Sequence, residues 1–201
     1  MAKMYPLFLG LLLTALCFPR GIGHPVLEET SSGGEAASFP ENKIDPIVSS
    51  LRVQILQIAE REIGVKEATG NNDGERVEEY LRYTHLGRGY AWCAAFVSWC
   101  YGQAGLPEPR NPWSPALFPS ARTYCKGRAC EAVTNQIRKA DVFGIYGAVA
   151  KRINHVGLVR KVENVYLITV EGNSNNRVES RRRHLKTIYA LSDWITNDES
   201  L

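Results

Sequence analysis

The chain has 201 residues, which suits one domain with short appendages. Hydrophobic residues make up 44% of it and charged residues 22%, as in an ordinary globular protein. The formal net charge is +3, and removal of Lys3 and Arg20, the only charged residues among the first 23, takes it to +1. This nearly neutral balance argues against a nucleic-acid-binding protein.

Residues 1–23 have the pattern of a secretory signal peptide. A single basic residue precedes an almost continuous apolar run at 7–17, which is too short to span a bilayer. We therefore predict a secreted or periplasmic protein with no stable membrane span after processing. Cys17 could instead carry a lipid, but Leu16 stands where a lipoprotein signal usually has a small residue, so a lipoprotein is the less favoured alternative.

A polar stretch rich in Glu, Ser and Gly, residues 24–44, predicts a flexible leader. Helix caps and apolar spacing then predict three helices, which run from Asp45 to Gly64, from about Val77 to Gly87, and from Cys93 to about Ala104. A proline-rich loop follows at 106–119, and a short helix is expected at 120–124.

The second half of the chain changes to β-type patterning. Segments rich in β-branched and aromatic residues between turn signals predict strands at 140–146, 155–162, 165–171, 179–185 and 188–194. Helices first and consecutive strands later indicate an α+β domain, with N-terminal helices packed on a C-terminal antiparallel sheet. We place this catalytic domain at residues 45–197.

A cysteine, a histidine and an acid carry the predicted chemistry. Cys93 follows a glycine-bearing turn and begins an apolar helix, where the helix dipole and unpaired N–H groups favour a thiolate. His155, and then Glu171 and Asn173, follow on consecutive predicted strands. A thiol, an imidazole and an orienting acid or amide are the parts of an activated nucleophile, so the sequence indicates a cysteine hydrolase.

The spacing of His155 and Glu171 constrains the hairpin between them. A two-residue turn at 163–164 would put the two side chains on opposite faces of the sheet. A three-residue loop at 162–164 puts them directly opposite each other on one face, and Asn164 tolerates the left-handed conformation that ends such loops. We therefore predict an odd-length loop, or a bulge.

The other cysteines are assigned structural roles. Cys125 and Cys130 bracket a short polar loop and are a disulfide candidate in an oxidising compartment. Cys100 lies on the same helix as Cys93, too far along the axis for a bridge, and is interpreted as a core residue. A zinc site built from these thiols and His155 lacks any C-x₂-C pair, so we predict neither a metal nor a cofactor.

The ordered motifs resemble the CHAP family of cysteine, histidine-dependent amidohydrolases/peptidases, which has a papain-like fold and stands beside the NlpC/P60 peptidoglycan hydrolases. The motifs are Trp92-Cys93-Ala94-Ala95-Phe96-Val97-Ser98-Trp99-Cys100, Asp141-Val142-Phe143, His155-Val156-Gly157 and Glu171-Gly172-Asn173. The resemblance implies Cys93 as nucleophile, His155 as general base and later acid, and Glu171 as the residue that orients the imidazole. It implies Asn173 as a fourth polar residue, which orients the histidine or supports the oxyanion.

Four residues are candidates for substrate binding: Tyr90, Trp92, Trp113 and Asn72. Aromatic residues at such positions are more often core than groove. The loop with Glu67, Asn71, Asn72 and Asp73 lacks the regular spacing of a calcium loop, so a hydrogen-bonded loop is favoured over an ion site. The run Arg181–Arg183 could meet acidic stem peptides, but a solvated strand face is favoured.

The resulting hypothesis is a secreted, monomeric peptidoglycan hydrolase that cleaves an amide bond, as an N-acetylmuramoyl-L-alanine amidase or a stem-peptide endopeptidase. Peptidoglycan is the expected partner, and no nucleic acid is expected. One alternative is a thiol amidase acting on a non-wall amide. The other is a non-catalytic wall-binding module, which is disfavoured because the cysteine and the histidine are both present.

Overall fold

The computed structural model describes residues 45–196, and the predicted signal peptide and leader lie outside this range. Three helices come first: α1 (Pro46–Arg61), α2 (Glu75–Tyr83) and α3 (Cys93–Gln103). Six strands follow: β1 (Thr123–Lys126), β2 (Val142–Gly147), β3 (Arg152–Glu163), β4 (Tyr166–Ser174), β5 (Arg177–His184) and β6 (Ala190–Ser192). They form one antiparallel sheet in the order β1-β6-β2-β3-β4-β5. The predicted α+β class is confirmed, with the helices packed on the sheet.

Local signals in the sequence set the helix ends. The Asp45 side chain accepts a hydrogen bond from the Ile47 N–H, and proline occupies the first position of α1. Past the ends of α1 and α3, Gly64 and Gly105 adopt positive φ angles of 101° and 88°. The second helix ends at Tyr83, earlier than predicted, because Thr84 has already left the helical conformation.

The prediction of a short helix at 120–124 is wrong. Thr123–Lys126 forms the edge strand β1, which pairs with β6. Thr123 and Tyr124 are β-branched and aromatic, and pairing with β6 satisfies their backbone groups. Cys125, on this strand, forms a disulfide with Cys130.

Helix α3 is the centre of the main core. Every residue from Cys93 to Tyr101 is buried, and the helix packs against α1, α2, β3 and β4. Gly172 allows the close approach of β4, because a Cβ atom there would lie 2.6 Å from Cβ of Phe96. The start of α3 is therefore held against the sheet next to the predicted catalytic strands. Between residues 45 and 196, no helix has the length and apolar character needed to cross a membrane.

Candidate active site

Cys93 is the first residue of α3, and only 4% of it is exposed. Its Sγ lies 3.4 Å from Oγ of Ser114. Burial raises the pKa of the thiol, but the hydrogen bond and the charge of His155 lower it, as do the Ser114 hydroxyl and the Val156 backbone N–H. The net pKa lies below the ordinary value, so the site favours a thiolate.

His155 links the thiol to the buried acid. Its Nε2 lies 2.7 Å from Oε2 of Glu171, which leaves Nδ1 as the ring nitrogen for Cys93. Burial lowers the pKa of the imidazole, but the hydrogen bonds with Cys93 and Glu171 raise it to about 9. A lowered thiol pKa beside a raised imidazole pKa favours a thiolate–imidazolium pair near neutral pH.

Glu171 is fully buried, and all of its hydrogen bonds come from donors that favour the carboxylate. Thr169 Oγ1 donates to Oε1 over 2.6 Å. Arg183 donates through Nε to Oε1 over 2.9 Å and through Nη2 to Oε2 over 2.6 Å. Burial raises the pKa of Glu171, but Arg183, His155 and Thr169 lower it to about 2. The carboxylate therefore stays ionised although it is inaccessible to water.

The hairpin puts His155 and Glu171 on one face, as predicted, by means of a bulge. The prediction of a three-residue loop is wrong. Glu163 pairs with Tyr166 across a two-residue turn, in which Asn164 has a positive φ of 54°. The register then shifts between Val159 and Lys161, and the extra residue restores the common face. The two side chains are therefore diagonal neighbours rather than directly opposite.

Gly157 makes room for this diagonal contact. Extension of the Leu158–Val170 pair puts Gly157 opposite Glu171. A Cβ atom at Gly157 would lie 2.9 Å from Cγ of Glu171 and 2.9 Å from the Val170 carbonyl oxygen. The carboxylate can reach His155 because no side chain intervenes. The sequence reasoning missed this role, although an isolated glycine within a strand indicates a close approach.

This geometry coincides with a match to a known family. Residues 85–173 match the family model of the CHAP domain, and the matched stretch contains Cys93, His155 and Glu171. Over this stretch the chain is similar to the CHAP domain. The resemblance seen in the sequence is confirmed, and the chain is a hydrolase/peptidase.

Solved structures similar to this chain include the peptidoglycan hydrolase RipB from Mycobacterium tuberculosis. It is 15% identical, with a TM-score of 0.48 over 77% of this chain and 70% of that one. The P60 domain of an antigen from M. avium paratuberculosis is 12% identical, with a TM-score of 0.45 over 72% of this chain and 93% of that one. No curated protein matches this chain.

Asn173, the last residue of the matched stretch, is not brought to the imidazole. Its Nδ2 donates to Oδ1 of Asn72 over 3.2 Å, and among the described residues no hydrogen bond joins it to His155. The register of β4 and β5 shifts between Glu171 and Ser174, and Asn173 takes a positive φ of 55°. This local break directs its side chain to the loop of Asn72.

Glu67 organises that loop from a buried position. Its Oε1 accepts from Nε1 of Trp92, and its Oε2 accepts from the Asn72 backbone N–H, both over 2.9 Å. The Asn72 amide is itself bonded to Gly89 and Asn173. The loop is therefore held by hydrogen bonds, which is the interpretation favoured from the sequence.

The predicted substrate-binding aromatics differ in exposure. The prediction that Trp92 lines a groove is wrong. Trp92 is fully buried, packs against the rings of Tyr80 and Phe96, and donates a hydrogen bond to Glu67. Tyr90 and Trp113 are 58% and 57% exposed. In the sequence they precede Cys93 and Ser114 by three residues and by one residue.

Two surface clefts differ in their relation to the candidate site. A cleft of about 540 Å³ lies among α1, α2 and α3 and contains neither Cys93 nor His155. A cleft of about 410 Å³ includes Ile145, the partner of His155 in the β2–β3 ladder. Its other lining residues include Tyr146, Tyr189, Arg128 and Lys186. The smaller cleft therefore reaches the strand beside His155, but like the larger cleft it is not lined by Cys93, His155 or Glu171.

Ser114 and Arg183 were not identified as site residues from the sequence. Ser114 lies in a proline-rich loop that carries no motif, so no sequence signal could have found it. Arg183 was interpreted as part of a solvated charge run, whereas its side chain is 22% exposed and bonded to Glu171. Only the strand register distinguishes it from its neighbours.

Proposed function

We propose that the chain is a secreted peptidoglycan hydrolase that cleaves an amide bond with Cys93, His155 and Glu171. One observation carries the proposal: a buried thiol at a helix start is coupled to the imidazole of His155, whose Nε2 lies 2.7 Å from the buried carboxylate of Glu171. This series supplies a nucleophile, a proton carrier and an orienting acid.

In the proposed reaction, the Cys93 thiolate attacks the amide carbonyl carbon and forms a tetrahedral intermediate. The C–N bond breaks as the His155 imidazolium gives its proton to the leaving nitrogen, and a thioester remains. His155 then takes a proton from water, which attacks the thioester and releases a carboxylic acid, so that the thiolate–imidazolium pair is restored. Glu171 stabilises the imidazolium throughout and is not itself protonated.

The start of α3 is the proposed support for the oxyanion. Trp92 stands at the N-cap and provides no side-chain hydrogen bond to the first turn. The first N–H groups of a helix have no intrahelical acceptor, and they carry the positive end of the helix dipole. They can therefore donate to the developing oxyanion next to Cys93. Asn173, which is bonded to Asn72, acts in this proposal through the loop rather than on the imidazole.

Peptidoglycan is proposed as the substrate because the CHAP family usually acts on it and because the predicted signal peptide directs the enzyme to where the wall lies. Tyr90 and Trp113, which are exposed and lie close to Cys93 and Ser114 in the sequence, are the proposed substrate contacts. The cut bond is proposed to lie between the sugar and the stem peptide, or within the peptide. A thiolate with an imidazole suits acyl transfer, whereas glycosidic cleavage uses paired carboxylates.

The test is incubation of the purified mature protein with intact sacculi. We expect new free amines without new reducing sugar ends, and mass spectrometry of the released fragments identifies the bond. Cys93→Ala should lower amine release by more than about a thousandfold. Cys100→Ala is the matched control, because Cys100 is a fully buried thiol on the same helix whose pKa is raised by burial.

Amine release that survives Cys93→Ala, or release of reducing ends alone, would contradict the proposal. Activity on a small amide with none on any wall type would favour the non-wall thiol amidase.

A further inference from the structure

Arg183 differs from the two arginines that precede it. Arg182 lies over the ring of Tyr166, and Arg181, 40% exposed, pairs with Glu179 at 3.3 Å. The Arg183 side chain is half as exposed as that of Arg181 and turns to Glu171. Because side chains alternate along β5, one residue in a charge run can face the site while its neighbour faces away.

The contact between Arg183 and Glu171 has a defined geometry. Nε and Nη2 of Arg183 each donate to a different carboxylate oxygen, over 2.9 and 2.6 Å. Oε2, which accepts from Nη2, is also the oxygen that lies 2.7 Å from Nε2 of His155. A two-point contact fixes the plane of a carboxylate as well as its position. Arg183 therefore sets the direction from which Glu171 meets the imidazole.

We propose that Arg183 is a positioning residue for the Cys93–His155–Glu171 site, where it keeps the buried carboxylate ionised and aimed at Nε2 of His155. Its effect on turnover rests on the proposed function, but its effect on the thiol does not. Arg183 touches Glu171 and acts through it.

The physical argument is that Glu171 needs a cation. Burial raises its pKa, and Arg183 is the strongest of the groups that lower it, ahead of His155 and Thr169. The charged groups that act on Glu171 are Arg183 from β5 and His155 from β3, while Glu179 from β5 acts on Arg183. Without Arg183 the carboxyl takes up a proton at higher pH, and the imidazolium then loses its counter-charge.

That loss should be visible at the thiol, because the hydrogen bond and the charge of His155 are the largest of the influences that lower the pKa of Cys93. The test is the rate of alkylation of Cys93 by iodoacetamide as a function of pH, followed at the Cys93 peptide by mass spectrometry. Arg183→Gln should move the midpoint of this profile up by about one pH unit. Arg181→Gln removes the same charge from the same strand and should leave the midpoint unchanged.

A second pair of variants separates positioning from charge. Arg183→Lys keeps a cation but not the two-point contact, so it should leave the alkylation midpoint near that of the wild type while lowering turnover on sacculi. Glu171→Gln should itself lower turnover by more than about tenfold. In a Glu171→Gln background, Arg183→Gln should cause no further shift of the midpoint, because the group through which it acts is gone.

An equal midpoint shift in Arg181→Gln, or a shift that persists in the Glu171→Gln background, would overturn the role of Arg183. If Arg183→Gln does not fold, the turnover of Arg183→Lys on sacculi is the test instead. Wild-type turnover in Arg183→Lys would show that Arg183 does not position Glu171. Alkylation needs no substrate. A wild-type Cys93 that resists alkylation at every pH would count against the proposed nucleophile instead.

Discussion

Arg52 and Arg183 each hold a buried carboxylate, but the two arginines share their partners in opposite ways. Arg52 is a single cation between two acids, with Nη1 2.7 Å from Asp141 and Nη2 2.5 Å from Asp193. Glu171 is a single acid between Arg183 and His155. Around Arg52 there are two carboxylates for one cation, whereas around Glu171 there are two donor side chains for one carboxylate.

The pKa values follow this difference. Burial raises the pKa of Asp141 to about 6, because Asp193 opposes ionisation while Arg52 is shared between the two. Burial acts in the same direction on Glu171, but its two cationic partners and Thr169 lower the pKa to about 2. The sign of the shift is therefore decided by the number of partners per carboxylate rather than by burial alone.

The two clusters also join different parts of the chain. Arg52 connects α1 with the residue before β2 and with the segment after β6, through Asp141, Asp193 and Thr196. Neither aspartate contacts Cys93 or His155 through a hydrogen bond of the described residues. The Arg52 cluster (Arg52, Asp141 and Asp193) thus holds α1 to the sheet. The Arg183 cluster (Arg183 and Glu171) instead contacts the imidazole of His155. The predictions below test this separation.

The largest effect is expected from Arg52→Met. The change leaves two acids without their cation, one of them only 1% exposed, and should lower the free energy of unfolding by about 3–5 kcal/mol. Activity per folded molecule should not change. Since the folded-state pKa of Asp141 is raised, ionisation costs stability as the pH rises through about 6. The destabilisation should therefore be smaller at pH 5 than at pH 7.5.

Urea unfolding at the two pH values measures the effect, and titration of alkylatable Cys93 counts the folded sites. Arg61→Met is the matched control, because Arg61 is an exposed arginine on the same helix. A loss of activity per folded site in Arg52→Met would break the separation between the clusters.

The opposite pH dependence is expected at Glu171. Its pKa falls from an ordinary 4.5 to about 2 on folding, so its contribution is present above about 4.5 and is lost as the pH falls through 2. The shift corresponds to about 3 kcal/mol at neutral pH. The difference in unfolding free energy between the wild type and Glu171→Gln should therefore narrow from pH 6 to pH 3. Equal differences at both pH values would show that the carboxylate is not held ionised by its partners.

The chemistry of the site was more predictable from sequence than its support. Cys93 has a local signature, a glycine-bearing turn before an apolar helix, and the catalytic hypothesis required His155 and Glu171 to share a face of the sheet. The alternation of side chains along the strands did not determine how the hairpin brings the two residues to one face. A bulge and an odd-length loop each add one residue, so both give the same face. The structure uses a bulge near Arg160.

The unpredicted residues depend on register and on long-range packing. Arg183 lies twelve residues from Glu171, and its role depends on its position along β5 as well as on its face, which Arg181 shares. Ser114 meets Cys93 across 21 positions from a loop without a motif. Trp92 was assigned to a groove because it precedes the cysteine, yet the packing of Tyr80 and Phe96 makes it core. Local patterns carry no information on these contacts.

The smallest effects are expected where a hydroxyl donates to each carboxylate. Tyr124 donates to Asp141 over 2.7 Å, and Thr169 donates to Glu171 over 2.6 Å. When the hydroxyl is removed, each accepting oxygen keeps another donor. This donor is the Arg138 N–H for Asp141 and Nε of Arg183 for Glu171. Tyr124→Phe and Thr169→Val should therefore each lower the unfolding free energy by only about 1 kcal/mol.

These two variants should differ in activity although they match in stability. Thr169→Val removes a group that lowers the pKa of Glu171, so turnover should fall, by less than about tenfold, and most at acidic pH. Tyr124→Phe should raise the pKa of Asp141 without changing turnover, because the Arg52 cluster ends before the imidazole. Urea unfolding and the pH profile of amine release from sacculi measure both quantities. Equal losses of turnover in the two variants would mean that the two clusters are coupled through the sheet.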